Sequence, residues 1–231
     1  MSTIGRQINF RKPFGPYIVQ TTISDELHKI LLDTALKIRK NKKLNKKQDY
    51  RNKLAGNLKE EYSYENMFTA KQKQIVHEEF LWLASWYTKM AKQAIDKNED
   101  REPYELKLHE PIWVNFMKAG EWNPSHAHSG DISCVTYLKI PKEIEEENET
   151  AEHTSKSNTP SAGRIEFIYG DNIKYCVTGI FQKPKEKDIY LFPAKLRHQV
   201  YPFKSKVERI SVSVNFGDII DAHRNLQISK R

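Results

Sequence analysis

The sequence predicts an α+β protein in which N-terminal helices pack on one face of a C-terminal β-core. Apolar residues recur at helical spacing up to about residue 95, whereas short alternating runs of β-branched and aromatic residues recur from about residue 106. Several short strands at such spacing indicate a sandwich or a closed barrel. We therefore expect a single domain over residues 1–231, with a mainly helical part at 1–104 and the β-core at 105–220.

Two helices are predicted in the N-terminal part, after an extended segment that contains a short strand at Tyr17–Val19. The first helix begins after Ser24, whose hydroxyl can cap the amides of the first turn. The second helix runs from about Thr69 to Ile95 and carries a broad apolar stripe, with Lys and Gln on the opposite face. The basic, Asn-rich stretch between the two helices is expected to be a loop.

The β-core is predicted from runs in which β-branched and aromatic residues alternate with polar ones. These runs are Ile112–Phe116, Ile132–Ile140, Arg164–Tyr169, Tyr175–Phe181, Ile189–Phe192 and Ile210–Phe216. A strand-like run also extends from Tyr190 to His198. The segment 142–162 interrupts the series, because it is acidic and then Ser/Thr/Asn-rich with almost no apolar residue. We expect this polar insertion to be a mobile excursion, either a lid or a tolerated surface insertion.

Much of the formal net charge of +8 lies between Lys37 and Lys53, where nine basic residues face a single acid, Asp49. The stretch is compatible with contact to nucleic acid or another acidic partner, and equally with a solvated helix end and loop. Aromatic residues are not interleaved there as in a base-stacking platform, which favours the solvated surface.

The remaining composition is typical of a soluble globular protein, with 29% charged and 38% apolar residues. No apolar run approaches the roughly 20 residues that span a bilayer, and the N-terminus lacks the apolar segment of a secretion signal. The two cysteines, Cys134 and Cys176, are expected to be reduced thiols. We expect a cytoplasmic protein without a membrane partner, and the sequence does not fix its oligomeric state.

A metal site is predicted at His126 and His128, which are two residues apart on an extended segment. Side chains alternate along a strand, so both imidazoles point to the same side. A third ligand would be His198, at the end of its strand-like run. Neutral imidazole suits iron, zinc, copper and nickel, so these ligands alone do not choose the metal.

An anion site is predicted at Arg209, which opens the last alternating run. Its guanidinium is always charged and can bind a carboxylate through two hydrogen bonds. Ser211 points to the same face and can donate a further hydrogen bond, and Tyr137 could donate a third from a neighbouring strand. Alternatively, Arg209 pairs with Glu208 or another surface acid.

These segments together resemble the Fe(II)- and 2-oxoglutarate-dependent oxygenases over about residues 106–217. The resemblance is carried by His126-Ala127-His128, by Ser133 to Leu138, by Leu191-Phe192-Pro193 followed by His198, and by Arg209-Ile210-Ser211. The nearest groups are the prolyl-hydroxylase-like branch and the uncharacterised oxygenases of tailed bacteriophages. The resemblance implies a double-stranded β-helix, which is a jelly roll related to the cupins, and it implies Fe(II), 2-oxoglutarate and O₂.

The resemblance also implies a role for each site residue. His126 would be the first iron ligand and His198 the distal one. Arg209, Ser211 and Tyr137 would bind the distal carboxylate of 2-oxoglutarate, with Asn115 lining the pocket.

The chain departs from the family at the third ligand. The usual ligand set has an Asp or Glu two residues after the first histidine, where this chain has His128. Either His128 completes a three-histidine site, or Asp131 turns in as the carboxylate. A third possibility is weak metal binding and lost turnover.

The expected activity is therefore hydroxylation coupled to 2-oxoglutarate decarboxylation. The likeness to prolyl hydroxylases favours a protein substrate of the prolyl type, with a small molecule or a nucleic acid as the other candidates. The alternative functions are a cupin-type metalloenzyme with three histidines and no 2-oxoglutarate, or a non-catalytic jelly-roll binding module. If the protein is encoded by a phage, it would act in the host cytoplasm.

Overall fold

The structure, a computed structural model, describes residues 15–95 and 106–218. The helices are α1 (Asp25–Lys40), α2 (Lys42–Lys47), α3 (Ala70–Ile95), α4 (Glu143–Thr150) and α5 (Glu152–Ser155), with a 3₁₀ turn at Arg51–Lys53. The strands are β1 (Val19–Thr22), β2 (Glu60–Ser63), β3 (Leu106–Lys118), β4 (Asn123–His126), β5 (Ile132–Lys139), β6 (Ile165–Ile168), β7 (Gly179–Gln182), β8 (Asp188–Pro193), β9 (Arg197–Val200) and β10 (Glu208–Asp218).

Two antiparallel sheets form the β-core. The major sheet has six strands in the order β1-β8-β5-β10-β3-β2, and the minor sheet has four in the order β4-β9-β6-β7. The helices α1 and α3 pack on the outer face of the major sheet, so the predicted α+β class is confirmed.

The central strand β10 shows how the sequence divides the two faces of the major sheet. Its even-numbered residues from Ile210 to Phe216 are apolar and belong to the core that the helices cover. Its odd-numbered residues Arg209, Ser211 and Ser213 line a cavity on the other face. This period of two is the geometry of a strand, and it places polar side chains on the inner face.

The two predicted long helices are confirmed. Ser24 caps α1, because its hydroxyl accepts a hydrogen bond from the Leu27 amide at 3.1 Å. The apolar residues of α1 that are buried follow the expected spacing, and α3 begins one residue after the predicted start. Among the described residues, no helix has the length and apolar character needed to cross a bilayer.

The basic stretch after α1 is not the expected loop. Asn41 caps α2 by accepting hydrogen bonds from the amides of Lys43 and Leu44, and the 3₁₀ turn follows shortly after. The lysines that follow Asn41 are good helix formers, which outweighs the loop signal of the asparagines. The side chains of α2 are not buried, so a solvated basic surface remains.

The run Tyr190–His198 is not one strand. Its first part belongs to β8 in the major sheet, and its last residues belong to β9 in the minor sheet. The Leu196 amide donates to the Pro193 carbonyl at 2.8 Å and closes the turn between them. Alternation continues across this turn, so the pattern alone could not reveal the change of sheet.

Other strand bounds also differ from the prediction. Strand β1 begins where the predicted Tyr17–Val19 strand ends, and β7 covers only the end of the predicted run Tyr175–Phe181. Tyr175 has a φ of 67°, a left-handed conformation that does not fit a strand. The strands β2, β4 and β9 are short and were not predicted as separate elements.

The polar insertion 142–162 is helical and is not the expected excursion without core contacts. It contains α4 and α5, and Ile144 and Ala162 are buried against the inner face of the β-core. The Asn148 side chain accepts from the Ala162 amide at 2.9 Å and donates to the Ala162 carbonyl at 3.0 Å. A few well-placed apolar and hydrogen-bonding side chains thus anchor a segment whose overall composition is polar.

The division of the chain into one domain, with a boundary near residue 104, stays a prediction. Residues 1–14, 96–105 and 219–231 lie outside the described residues, and with them the expected extended N-terminus, that boundary and the end of the predicted β-core.

Candidate active site

Three histidines meet at the inner side of the minor sheet. His126 at the end of β4 lies opposite His198 on β9 in the antiparallel register. His128 follows β4, and its amide donates to the Ala194 carbonyl at 2.8 Å, which holds the segment against the turn after β8. The possible ligand atoms of the three side chains all lie within 4.8 Å of one another. The structure therefore brings together the three histidines that the sequence suggested.

Backbone carbonyls fix the orientation of two of these rings. The Nδ1 atom of His126 lies 2.7 Å from the Pro124 carbonyl, and that of His198 lies 2.9 Å from the Leu196 carbonyl. A carbonyl can only accept, so each Nδ1 carries the hydrogen and each Nε2 keeps a free lone pair. This arrangement is how metal-binding histidines are usually oriented.

The protonation of the cluster also suits a metal. Burial lowers the pKa of His126, and it lowers the pKa of His128 to about 4 and that of His198 to about 3. All three imidazoles are therefore neutral at pH 7, as metal ligation requires.

The spacing of two ligand atoms matches a shared ion. The Nε2 atoms of His128 and His198 are 3.2 Å apart. Imidazole nitrogens lie about 2.1 Å from a divalent ion such as zinc, so two of them at right angles are about 3 Å apart. The donor set fits a first-row transition metal.

Asp131 is not part of this cluster. Its carboxylate Oδ2 lies 3.7 Å from the position that a Cβ on Gly217 would take, and the His109 ring lies beside the same position. Within residues 15–95 and 106–218, the group that could hold a metal consists of His126, His128 and His198. The geometry therefore favours His128 over Asp131 as the third ligand.

A cavity of about 170 Å³ opens beside the three histidines. Its other wall is the inner face of the major sheet, where Glu61, Asn115 and Ser211 lie opposite one another on β2, β3 and β10. Tyr137 on β5 lies next to Ser211 in the same row. Arg209 lines the same cavity from the next row. The cavity therefore joins the candidate metal ligands to the candidate anion ligands.

Arg209 is a buried cation without a carboxylate partner among the described residues. It is only 2% exposed, and burial lowers the pKa of its guanidinium. The guanidinium stacks on the Tyr137 ring at 4.8 Å, and Nη1 lies 3.4 Å from the Met117 sulfur. Its Nε has no hydrogen-bond partner. A buried charge in this state is costly, and a bound anion would relieve the cost.

The suggested pairing of Arg209 with Glu208 is wrong. Glu208 instead forms an ion pair with Arg39 of α1, with Nη1 and Oε1 2.6 Å apart. Because adjacent strand residues point to opposite faces, Glu208 lies on the side of the helices and Arg209 on the side of the cavity.

Glu61 is a cavity residue that sequence reasoning missed. It is 1% exposed, and its Oε2 has no hydrogen-bond partner. Burial raises the pKa of its carboxyl to about 7. The signal that could have found it is the alternation of Tyr62 and Tyr64 with smaller polar residues, which marks β2 and puts Glu61 on the face opposite those rings.

Residues 111–215 match a sequence family described as "Putative 2OG-Fe(II) oxygenase", where 2OG is 2-oxoglutarate. The matched segment contains the three histidines, Arg209 and Ser211. Over this segment the chain is similar to the Fe(II)- and 2-oxoglutarate-dependent oxygenases. Enzymes of that superfamily use Fe(II) with 2-oxoglutarate and O₂ as co-substrates, and the three histidines of this chain form a donor set that fits the iron.

Solved structures with the same fold include three at low sequence identity. A prolyl hydroxylase from Trichoplax adhaerens, in complex with a hypoxia inducible factor peptide fragment, is 13% identical with a TM-score of 0.50 and covers 92% of this chain and 86% of that chain. The non-heme alpha ketoglutarate dependent epimerase SnoN from nogalamycin biosynthesis is 12% identical with a TM-score of 0.58 and covers 87% and 77%, respectively. AviO1 from Streptomyces viridochromogenes Tue57 is 11% identical with a TM-score of 0.54 and covers 87% and 90%.

These likenesses show the fold, and the expected double-stranded β-helix is confirmed. No curated protein matches the chain in sequence.

Proposed function

We propose that this protein is an oxygenase, a hydroxylase that couples decarboxylation of 2-oxoglutarate to oxidation of a protein side chain. The observation that carries the proposal is Arg209, an unpaired buried cation that shares one cavity with three neutral, mutually oriented histidines. A dicarboxylate could coordinate the metal through one end and bind Arg209 through its other carboxylate. One ligand would then pair with both groups of the cavity.

In this proposal His126, His128 and His198 hold Fe(II). Three neutral imidazoles carry one negative charge less than two histidines and a carboxylate. The anionic co-substrate therefore neutralises more of the positive charge of the iron. When bound, iron with 2-oxoglutarate and O₂ supplies the oxidation of a C–H bond, with release of succinate and CO₂.

The inner face of the major sheet orients the co-substrate. Arg209 binds the distal carboxylate of 2-oxoglutarate, and Ser211, one step along the same face, donates a hydrogen bond to it. The Tyr137 hydroxyl, which is buried and without a hydrogen-bond partner, is a further donor. Asn115 lies opposite Ser211 in the register and lines the pocket beside it. Stacking on Tyr137 restricts the guanidinium, so little ordering is needed when the carboxylate arrives.

A peptide substrate is supported by the likeness to the Trichoplax prolyl hydroxylase, whose structure contains a peptide fragment. A cytoplasmic location, in the host if the protein is phage-encoded, belongs to the same proposal, and the two cysteines are free thiols as a reducing compartment requires.

Anaerobic titration of the metal-free protein with Fe(II), and then with 2-oxoglutarate, tests the proposal. A visible charge-transfer band that needs both additions supports chelation of 2-oxoglutarate at the iron. The variant Arg209→Met is the matched control, and it should need a much higher 2-oxoglutarate concentration for the same band. No band in folded, Fe(II)-loaded protein contradicts the proposal.

A second candidate is a cupin-type metalloenzyme that does not use 2-oxoglutarate. The observation that favours it is the third histidine in place of the usual carboxylate. It predicts Fe(II) binding without the charge-transfer band, and metal-dependent activity that survives Arg209→Met.

A non-catalytic binding module would instead use the basic surface of α2. It predicts strongly salt-dependent nucleic-acid binding that does not need His126 or His198.

A further inference from the structure

The cavity contains a second ionisable group without a partner, and the proposed function does not use it. Glu61 projects from β2, the edge strand of the major sheet, into the cavity. Its Oε2 is buried without a hydrogen-bond partner. A buried carboxylate in this state costs free energy unless a donor or a cation satisfies it.

Two amide side chains present further unpaired oxygens beside Glu61. Asn115 lies directly opposite Glu61 in the register of β2 and β3 and is only 6% exposed, and its Oδ1 has no partner. The Oδ1 of Asn123 is likewise buried and without a partner. Asn123 Oδ1 and Glu61 Oε1 lie 2.7 and 2.6 Å from the same point, the position that a Cβ on Gly56 would take. The three side chains form a cluster of acceptors, called here the Glu61 cluster.

Two of the charged groups that act on Glu61, Arg51 and Glu121, are engaged elsewhere. Arg51 donates to the Asp49 carboxylate from Nε at 2.9 Å and also from Nη2. The Glu121 carboxylate accepts from the backbone amides of Lys59 and Lys118. Among the described residues, no cation is within ion-pair distance of Glu61. Glu61 therefore has no direct ion pair, although Lys53 lines the same cavity and Arg51 acts on Glu61 from a distance.

Neither the metal nor the co-substrate of the proposed function satisfies this cluster. Glu61 is not in the group that could hold the metal. A dicarboxylate would be repelled by Glu61 and attracted by Arg209, which lies in the neighbouring row, opposite Met117 and two residues from Ser211. Apart from solvent, the remaining occupant is the substrate.

We propose that the Glu61 cluster binds a positively charged nitrogen of the substrate, an amino or guanidino group, next to the carbon that is oxidised. The inference rests on the proposed function, because it assumes that the histidine side of the cavity is the reaction centre. A peptidyl proline has no N–H and would leave the cluster unsatisfied, whereas a lysine or arginine side chain supplies several donors. The substrate class is therefore a basic side chain, in a peptide or as the free amino acid.

The raised pKa of Glu61 is consistent with this class. The carboxyl is partly protonated near pH 7 in the empty cavity, and a cation would favour its ionised form. Asn115 would couple the two halves of the cavity, since it lies between Glu61 and Ser211.

Calorimetric titration tests the inference on the full chain loaded with Zn(II) and 2-oxoglutarate, because zinc has no redox chemistry and so prevents turnover. The probes are the N-acetyl methylamides of arginine and lysine, with those of citrulline and norleucine as neutral counterparts. Free arginine and lysine form a second arm that separates a peptide from an amino-acid substrate. We expect each basic probe of the preferred arm to bind about tenfold or more tightly than its neutral counterpart.

Glu61→Gln should remove this preference, and Glu60→Gln is the matched control. Glu60 is the neighbour on β2, and it points to the other side and pairs with Lys118 at 2.6 Å. The Glu60 variant should keep the wild-type preference. Equal binding of basic and neutral probes by the wild type, or an unchanged preference in Glu61→Gln, would overturn the inference.

The Fe(II) and 2-oxoglutarate charge-transfer band, measured on the same proteins, separates this inference from the proposed function. A band that persists in Glu61→Gln, together with a lost preference for cations, supports both. A band without any preference in the wild type removes only the Glu61 inference. A missing band in the wild type removes the proposed function itself.

Discussion

At the scale of single residues, the site is defined by charges that the fold buries without internal partners. The guanidinium of Arg209 is buried away from water, and its contacts are the ring of Tyr137 and the sulfur of Met117. Such a residue lowers the stability of the protein without ligand, and the proposed function explains its presence as an anion-binding group. In that proposal, binding of the anion would recover the free energy that burial of Arg209 costs.

Replacement of Arg209 by Met therefore has opposite effects on binding and on stability. We expect affinity for 2-oxoglutarate to fall by about a hundredfold, since a charge-assisted pair of hydrogen bonds is lost. The free energy of unfolding of the empty protein should be unchanged or higher, because an unpaired buried charge is removed. Calorimetric titration of the Zn(II)-loaded variant and urea unfolding of the metal-free variant measure the two effects.

Glu208→Gln is the control for this experiment. Glu208 pairs with Arg39 on the helix side, so its loss should leave 2-oxoglutarate affinity unchanged. A large loss of affinity in Glu208→Gln, or none in Arg209→Met, would contradict the assignment of Arg209 as the anchor.

Glu61 predicts a pH dependence of stability with a defined sign. Its folded pKa is about 7, against an ordinary value of 4.5, so the folded protein holds a proton between these values that the unfolded chain has released. This contribution to stability is present below pH 4.5 and is lost as the pH rises through 7, on the order of 3 kcal/mol in total. The charged groups that act on Glu61 are Arg51, Glu121 and Asp49.

Urea unfolding of metal-free protein at pH 5 and pH 8 tests this dependence. Glu61→Gln has no such proton to lose, so its stability relative to wild type should be higher at pH 8 than at pH 5. Parallel pH profiles for the two proteins would show that Glu61 titrates normally.

At the scale of elements, the two-residue period of a strand made the histidine cluster and the polar face of β10 predictable. The spacing of His126 and His128 indicated a shared side, and the alternation after Arg209 separated a polar face from an apolar one. Both inferences depend only on local geometry, which a sequence records directly. For the same reason α1 and α3 were predicted close to their observed bounds.

The parts that escaped prediction depend on contacts between distant segments. The turn after Pro193 moves the chain from one sheet to the other without interrupting the alternation, so His198 was assigned to the wrong strand. Glu61 lies on a four-residue strand, where the alternation of Tyr62 and Tyr64 is a weak signal because so few residues carry it. Local sequence could not show whether Arg209 pairs with Glu208. The structure shows that Glu208 pairs instead with Arg39 of α1, which is 169 residues away from it in the chain.

The helix α4 illustrates how a polar segment becomes part of the core. Glu147 accepts hydrogen bonds from the amides of Lys204 and Ser205 and from the Ser205 hydroxyl at 2.7–2.9 Å. Burial raises the pKa of Glu147, but the hydrogen bonds from Ser205 and Lys204 outweigh it and leave the pKa below its ordinary value. The helix thus fixes the loop that leads into β10.

Glu147→Ala should therefore lower the free energy of unfolding by about 2 kcal/mol at neutral pH, since several amides lose a charged acceptor. Glu146→Ala on the solvent side of α4, which removes only an exposed pair with Lys142, should cost less than about 0.5 kcal/mol. Urea unfolding of both variants measures the contrast. Equal effects would mean that α4 is the dispensable surface insertion that its composition suggested.

At the scale of the whole molecule, the ligands of the proposed function come from two different sheets. The histidines belong to the minor sheet and the segment after β4, and Arg209 belongs to the major sheet. A dicarboxylate bound to both would connect the sheets across the cavity. Its stabilising effect should therefore depend on the metal.

Thermal unfolding tests this dependence. Zn(II) alone should raise the melting temperature, and 2-oxoglutarate should raise it further only in the presence of Zn(II), by mass action on the folded state. Succinate, which lacks the keto group, is the control and should add less. An equal effect of 2-oxoglutarate with and without metal would contradict simultaneous binding to both sheets.

Because side chains alternate between the two faces along β10, the number of residues in this strand determines which of them face the cavity. Deletion of one residue inside the strand would exchange its two sides, so that arginine and serines faced the helices and valines filled the cavity. Substitutions of one apolar residue by another on the helix side would be far milder. Substitutions of apolar residues on the helix side of β10 should therefore be tolerated, whereas insertions and deletions within the strand should not. The same limit applies to the redesign of the specificity of this protein.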